Sequence, residues 1–187
     1  MGARLVFRKT ADETNGELLQ FDFFLKPRGE IAEQHLHPRQ EERFEVVSGR
    51  MRGIVSKKPQ TAETGDVVVV PPGTRHAWWN DGDEEAHLVV EFRPALRAEE
   101  FFETAFGLAR DGKTDERGLP NIWQRAVLLR EYDDEFFPAS GPLPIIKVMM
   151  PILARIGRLR GYRPHYPEYS SPNESAARSD AGRERLP

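Results

Sequence analysis

GEIAEQHLHPRQEERFEVVSG, residues 29–49, is the stretch on which the fold of this 187-residue chain turns. On a β-strand, residues i and i+2 point to the same face, so His35 and His37 project together. Pro38-Arg39-Gln40 supplies a turn. Glu42 then opens the next strand, where it can return to the same place. Phe44 and Val46 share its parity and are expected to face the same interior. Two imidazoles and a carboxylate converging in this way suit a divalent metal. A His-x-His pair alone is more often merely solvent-facing, so a second signal is needed.

That signal is GDVVVVPPGTRHAWWN, residues 65–80. It reads as a β-branched strand, a Pro-Gly turn, and a histidine, His76, opening another strand. Parity puts Trp78 on the same side as His76, and Trp79 on the other. Phe44, Val46 and Trp78 then make an apolar, aromatic pocket wall, which suits an organic substrate with a flat or hydrophobic part. The next strand, His87 to Phe92, has Leu88, Val90 and Phe92 on one side and His87, Val89, Glu91 and Arg93 on the other. Parity does not say which side faces the site. With the polar side inward, Glu91 is a candidate catalytic base and Arg93 a candidate carboxylate-binding residue of the pocket. With it outward, the two are a surface or interface pair.

Outward from these stretches, residues from about Leu5 to Pro94 read as short strands, including Leu18 to Leu25, Arg43 to Val47 and Val67 to Val70. Pro27-Arg28-Gly29, Ser48-Gly49, Lys58-Pro59, Thr64-Gly65 and Asn80-Asp81-Gly82 punctuate them. This spacing predicts an all-β sandwich or barrel. Strands do not alternate with long helices, which argues against a Rossmann-type sheet. Past Pro94 the period changes. Ala98 to Arg110 has helical spacing, with Phe101, Phe102, Ala105, Leu108 and Ala109 on one side. Asn121 reads as the N-cap of a second helix, Ile122 to Tyr132. A third apolar run, Pro144 to Leu159, contains Pro151, which predicts a break or kink. The expected organisation is a β-barrel over residues 1–94, a helical extension over 95–163 and a disordered tail over 164–187.

Residues 147–187 hold eight basic and four acidic side chains, so they carry +4 against −7 for the first 146. The third helix is therefore basic and amphipathic. A membrane surface or an anionic partner is conceivable for it. The plainer expectation is that its apolar face packs on the barrel or on a second subunit. Left bare, Phe101, Phe102, Ile145, Ile146 and Met149 would form large apolar patches.

The formal net charge of −3 provides no global basic field, so no nucleic-acid partner is expected. The chain has no cysteine, which excludes disulfides, thiolate metal sites and a cysteine nucleophile and fits a reducing compartment. Met1 to Thr10 contains no apolar run of signal-peptide length. A cytoplasmic location is expected. No stretch of about 18 apolar residues exists, so no transmembrane segment is expected. All four tyrosines, Tyr132, Tyr162, Tyr166 and Tyr169, follow the barrel segment.

The two stretches together resemble the cupin superfamily. Gly29, His35, His37, Glu42 and Gly49 match its first motif at every spacing. Gly65, Pro71, Gly73, His76 and Asn80 match its second, and fifteen residues separate the two. The resemblance covers about residues 18–94. It implies a double-stranded β-helix, the cupin jelly-roll barrel, here with a C-terminal α-helical extension. It implies that His35, His37, Glu42 and His76 are metal ligands, with Asn80 at a turn. Small cupins are often homodimers, so a homodimer is expected. One divalent ion per chain is implied. Fe or Mn suits such a mixed N/O set best, with Ni, Co or Zn as alternatives. An octahedral ion would keep two positions open.

Three functions follow from these expectations. The first is a dioxygenase-type oxidoreductase acting on a small organic molecule. The same ligand set resembles that of oxalate-, flavonol- and acireductone-active cupins, while thiol dioxygenases, which use three His without the Glu, fit poorly. The second is a non-redox isomerase, lyase or cyclase. The third is a non-catalytic small-molecule-binding cupin.

Overall fold

The computed structural model describes residues 3–139 and 143–170, with side chains in the last helix from Val148 onward. Alternation of apolar and polar side chains writes the barrel. On β2 (Leu19–Leu25), Leu19, Phe21, Phe23 and Leu25 are buried while Gln20, Asp22 and Phe24 are half-exposed. On β4 (Glu41–Ser48), Glu42, Phe44 and Val46 face in. Such period-two burial needs a second layer to cover it.

The second layer is there. β1 (Ala3–Lys9), β2, β9 (Ala86–Arg93), β4 and β7 (Val67–Val70) form one antiparallel sheet in the order β1-β2-β9-β4-β7. β10 (Phe137–Pro138), β3 (His35–Leu36), β8 (His76–Asn80), β5 (Arg50–Val55) and β6 (Lys58–Glu63) form the other, in the order β10-β3-β8-β5-β6. Their inner faces share one core, with Leu19, Phe21, Phe44, Val46, Met51, Trp78, Leu88 and Phe92 all nearly solvent-free. Gly53 on β5 makes room for this core. A Cβ there would sit 2.4 Å from the Trp78 ring. Gly49 turns β4 into β5 at φ +93°, and a Cβ there would lie 2.9 Å from Ala86, so the position needs glycine for both reasons. The double-stranded β-helix expected of the sequence is the architecture observed.

After a cis Arg93–Pro94 peptide the chain leaves the barrel for α1 (Ala98–Arg110) and α2 (Ile122–Glu131). The Asn121 side chain accepts from the Trp123 and Gln124 amides and so caps α2, as its sequence predicts. Phe102 and Phe106 of α1 pack on the barrel core. The rest of α1 is covered as well, because Glu99, Glu100, Glu103, Thr104 and Leu108 are also buried. Glu99 accepts from the Ala11 amide, and Glu100 pairs with Arg97. Acidic residues read as solvent-facing by type, so this wider cover is not visible in the periodicity.

Three expectations about the C-terminal half need correction. The extension is not purely helical, since β10 adds a strand to the barrel sheet by pairing with β3. Of the break or kink expected at Pro151, the break does not occur. α3 runs from Leu143 to Leu159 through Pro151, packed along α2, where a Cβ on Gly157 would come within 2.7 Å of the Trp123 carbonyl. That tertiary packing offsets the hydrogen bond that proline cannot make. Residues 164–170 are not a loose tail. Tyr166 and Tyr169 pack against the Leu108, Leu128 and Tyr132 cluster, and Tyr169 lies over Gly107, where any Cβ would clash. Residues 171–187 and the side chains of Ile145 and Ile146 lie outside the described residues. Val148, Met149, Ile152 and Leu159 on α3 are exposed. No helix among the described residues is long and apolar enough to cross a membrane.

Candidate metal centre

His35 and His76 are register partners on β3 and β8, so their side chains stand on the same face of one sheet. His37 follows β3 immediately. Glu42 comes across from the facing sheet, opposite Val70 and Phe92. The turn of the second stretch also ties down the first, since the Gly73 amide donates to the His37 carbonyl at 2.8 Å. The structure thus brings all four residues to one place between the sheets, each buried. The ligand atoms of His35, His37 and His76 lie within 4.8 Å of one another. Glu42 Oε2 is 2.9 Å from His76 Nε2 and 3.8 Å from His37 Nε2.

Each imidazole is oriented by its other nitrogen. His35 Nδ1 donates to the Glu33 carbonyl (2.8 Å), His76 Nδ1 to the Thr74 carbonyl (2.9 Å) and His37 Nδ1 to the Glu135 carbonyl (2.6 Å). A ring that gives its Nδ1 proton away presents a bare Nε2 lone pair. That is the arrangement by which outer groups prepare histidine for a metal. Nε2 of His37, Nε2 of His76 and Oε2 of Glu42 are buried with no hydrogen-bond partner. Lone pairs facing one another in a dry site repel. A proton or a cation between them removes the conflict, and three imidazoles with a carboxylate are a donor set suited to a divalent cation.

The protonation pattern agrees. Burial, with the neighbouring imidazoles, pushes His35 down to about 3. Burial also lowers His37. Burial alone would raise the Glu42 carboxyl, but the close contact with His76 and the charges of His76, His37 and His35 bring it down to about 2. Burial works to lower His76, and contact with the Glu42 carboxylate reverses this and raises it. Near neutrality the cluster therefore holds a carboxylate with His35 and His37 neutral, and His76 is the ring whose protonated form the Glu42 carboxylate favours.

A cavity of about 220 Å³ ends on His35, His37 and Glu42. Phenylalanines dominate its wall: Phe21, Phe23, Phe44 and Phe92 from the barrel, Phe101, Phe102 and Phe106 from α1, and Phe136. On its more exposed side Glu33 pairs with Arg125 at 3.1 Å and Arg117 at 3.5 Å.

The other residues picked from sequence are distributed differently. Phe44 lines the cavity, but Val46 and Trp78 do not, and lie deeper in the apolar core. Parity gives the face of a strand but not the depth along it. Each two-residue step moves about 6.6 Å, so Val46 lies two steps past Glu42. Glu91 and Arg93 are not in the site. Leu88, Val90 and Phe92 take the inner face of β9, while Glu91 accepts from Gln20 and pairs with Arg93 at 3.1 Å on the outer one. Asn80 holds the turn after β8, donating to the Leu25 and Glu84 carbonyls and accepting from the Gly82 amide. The α1 wall and Phe136 were not singled out as site residues. The Phe-rich alternation of β2 and the apolar side of α1 with Phe101 and Phe102 are the sequence signals that point to the cavity.

Comparison with known proteins agrees with this architecture. Residues 21–92 match the family described as a cupin domain, and this segment of the chain is a cupin domain. Over 148 residues it is 31% identical to the "Probable oxidoreductase virH" of Hypocrea virens, covering 72% of this chain and 66% of that protein. It is 35% identical over 66 residues to "Protein SchB" of Streptomyces halstedii, covering 35% of this chain and 48% of that one. The chain therefore spans about two thirds and about half the lengths of these curated relatives. Among solved structures it is similar to a predicted oxalate decarboxylase from Thermotoga maritima, with a TM-score of 0.47, 16% identity, and coverage of 49% of this chain and 80% of that one.

Proposed function

We propose that the protein is a metal-dependent cupin enzyme of dioxygenase type, acting on a small apolar molecule that carries an aromatic ring. The observation that carries this reading is the single cavity wall that runs from a phenylalanine lining to His35, His37 and Glu42. His35, His37, Glu42 and His76 would hold the ion, with Fe or Mn favoured by the mixed N/O set. A divalent ion bound there supplies Lewis-acid and one-electron chemistry to a substrate at the end of the cavity.

The chain's own residues do the rest. The three carbonyls that accept from Nδ1 keep the Nε2 lone pairs aimed inward. Glu42 stays a carboxylate, because its carboxyl is held at about 2. The phenylalanines exclude water and provide flat apolar surface, so that a ring enters more readily than a sugar. The volume fits a small molecule, since a cavity of about 150 Å³ already takes benzene and drug-sized ligands need about 300 Å³ or more. The relative named as an oxidoreductase supports redox chemistry over isomerase, lyase or cyclase chemistry. The reading includes a cytoplasmic homodimer, consistent with the absence of cysteine and with exposed Val67 and Val69 on edge strand β7.

The test is oxygen uptake by the Fe²⁺- or Mn²⁺-loaded protein against a panel of phenols and naphthols, with oxalate and hexoses as controls. Ala105→Phe, which fills the cavity from α1, is run beside the wild type. Metal-dependent uptake with an aromatic compound, lost in A105F at unchanged metal content, is expected. Turnover of the same compound without oxygen consumption would replace this reading with the non-redox one. Binding without turnover would leave a binding module.

A further inference from the structure

The three site histidines are not held alike. His35 and His76 donate from Nδ1 to carbonyls two residues before them, Glu33 and Thr74, so the chain leading into β3 and β8 orients them. His37 gives its proton to Glu135, which lies 98 residues later and outside the cupin segment. The next residue, Phe136, stacks on the His35 ring, with centroids 4.6 Å apart and planes at 20°. It also meets the edge of His37 at 6.2 Å and stacks on Phe101 at 5.5 Å. One dipeptide from the extension therefore touches two of the three imidazoles, through a backbone acceptor and a ring.

That dipeptide is itself fixed. The Glu135 and Phe136 amides both donate to the Tyr132 carbonyl, at 3.1 and 2.9 Å. Tyr132 is fully buried, with the Arg97 guanidinium over its ring. The Glu135 carboxylate accepts from the Arg97 amide at 3.0 Å. Immediately after, Phe137 and Pro138 pair with Leu36 and His35, and the Ala139 amide donates to the Gln34 carbonyl at 2.8 Å. The segment is thus tied to the helices at one end and to the ligand strand at the other. Its sheet pairing gives it the register of β3 and delivers the Glu135 carbonyl to His37.

We propose that residues 132–139 are a clamp on the metal centre, with Glu135 and Phe136 as positioning residues that set the tautomer of His37 and the ring planes of His35 and His37. The proposal rests on the reading of the four side chains as a metal centre and goes beyond it. One of the three Nδ1 acceptors and the ring stacked on His35 come from outside the cupin domain. Outer partners of metal-bound histidines change affinity by about 10- to 100-fold when removed, which is the size of effect the clamp predicts.

The test uses the full chain, with Co²⁺ as the probe. Phe136→Ala and Glu135→Ala are compared with Phe136→Tyr, which keeps a ring. Co²⁺ affinity is expected to fall by about tenfold or more in F136A, with a shift in the visible absorption bands, to fall less in E135A, and to return in F136Y. Long-range ¹H–¹⁵N spectra of the metal-free protein give a readout that needs no metal. His37 is expected as the pure Nδ1–H tautomer in the wild type and as a mixture in F136A. Folded variants with unchanged Co²⁺ affinity, spectrum and tautomer would overturn the clamp. A wild-type His37 protonated on Nε2 would overturn it even if F136A failed to fold. A wild type that bound no Co²⁺ while His37 kept its Nδ1–H tautomer would instead count against the metal reading and leave the clamp standing as a device that orients His37.

Discussion

One end of the barrel interior, around Val46, Met51, Trp78 and Leu88, is closed by the barrel's own side chains. The other end, around His35, His37, Glu42 and His76, is left polar and is closed by residues from outside the barrel, namely α1, α2 and the segment carrying Phe136. The same strands run through both. β4 supplies Glu42 at one end and Val46 at the other, and β8 supplies His76 and then Trp78. A barrel of this size can fill itself with side chains, so an opening at one end has to be built, and buried lone pairs are what the chain has placed there. The closed end provides stability on which the open end's unfavourable burial can be carried.

The sharpest way to break this contrast is to damage the closed end alone. Trp78→Ala empties a site where the indole is 2% exposed and meets Phe44 edge-on at 4.9 Å. It is expected to cost about 3–5 kcal/mol in urea denaturation, as large aromatic truncations do. The chain that remains folded should keep its metal stoichiometry. A loss of metal binding at full stability would mean that the two ends are not separate in function.

The open end has its own signature in acid. His35, held at about 3 by burial, and His37, also lowered by burial, stay neutral in the folded chain while the unfolded chain takes up protons below about pH 6.5. Both therefore lower stability as pH falls below about 6.5, His35 doing so down to about 3. Glu42 acts in the same direction. Its carboxyl, held at about 2, contributes stability above about pH 4.5 that fades toward 2. His76 works the other way. Raised by Glu42, it contributes stability below about pH 6.5 that is lost as pH rises through its folded value. With three groups against one, the metal-free protein should melt at a lower temperature at about pH 4 than at pH 7. The drop should shrink in the double variant His35→Leu, His37→Leu. An acid-insensitive wild type would remove the burial argument for the site.

The smallest effect is expected on the outer face of β9. Glu91→Gln and Arg93→Ala break a pair in which Arg93 is half-exposed and Glu91 is buried, and each should change stability by about 2 kcal/mol or less. Metal content and turnover should stay within about twofold, a small effect for groups outside the cavity. A large loss of turnover would place Glu91 back in the chemistry.

The legibility of each part follows from how local its signal is. The strands of the two motifs and their four inward residues were readable because parity and fixed spacing act within one turn or one strand, whereas Lys58-Pro59, which reads as a break, is part of β6. The face of β9 was balanced on parity, although the three apolar residues Leu88, Val90 and Phe92 are what an inner face takes. Depth was the harder quantity. Val46 and Trp78 point inward as read, but sit too far along their strands to reach the cavity. The clamp could not be read at all. The Glu135 carbonyl is a backbone group, the same on any residue, and its partner lies 98 positions away.

The central claim is that His35, His37, Glu42 and His76 form one metal centre. The most direct test is elemental analysis by mass spectrometry of the full chain, purified without a histidine tag and reconstituted with Fe²⁺ and, separately, Mn²⁺, beside His76→Ala. One ion per wild-type chain, absent from a folded H76A, is the predicted result. A wild type that takes up neither ion, or an H76A that retains the full complement, would contradict it.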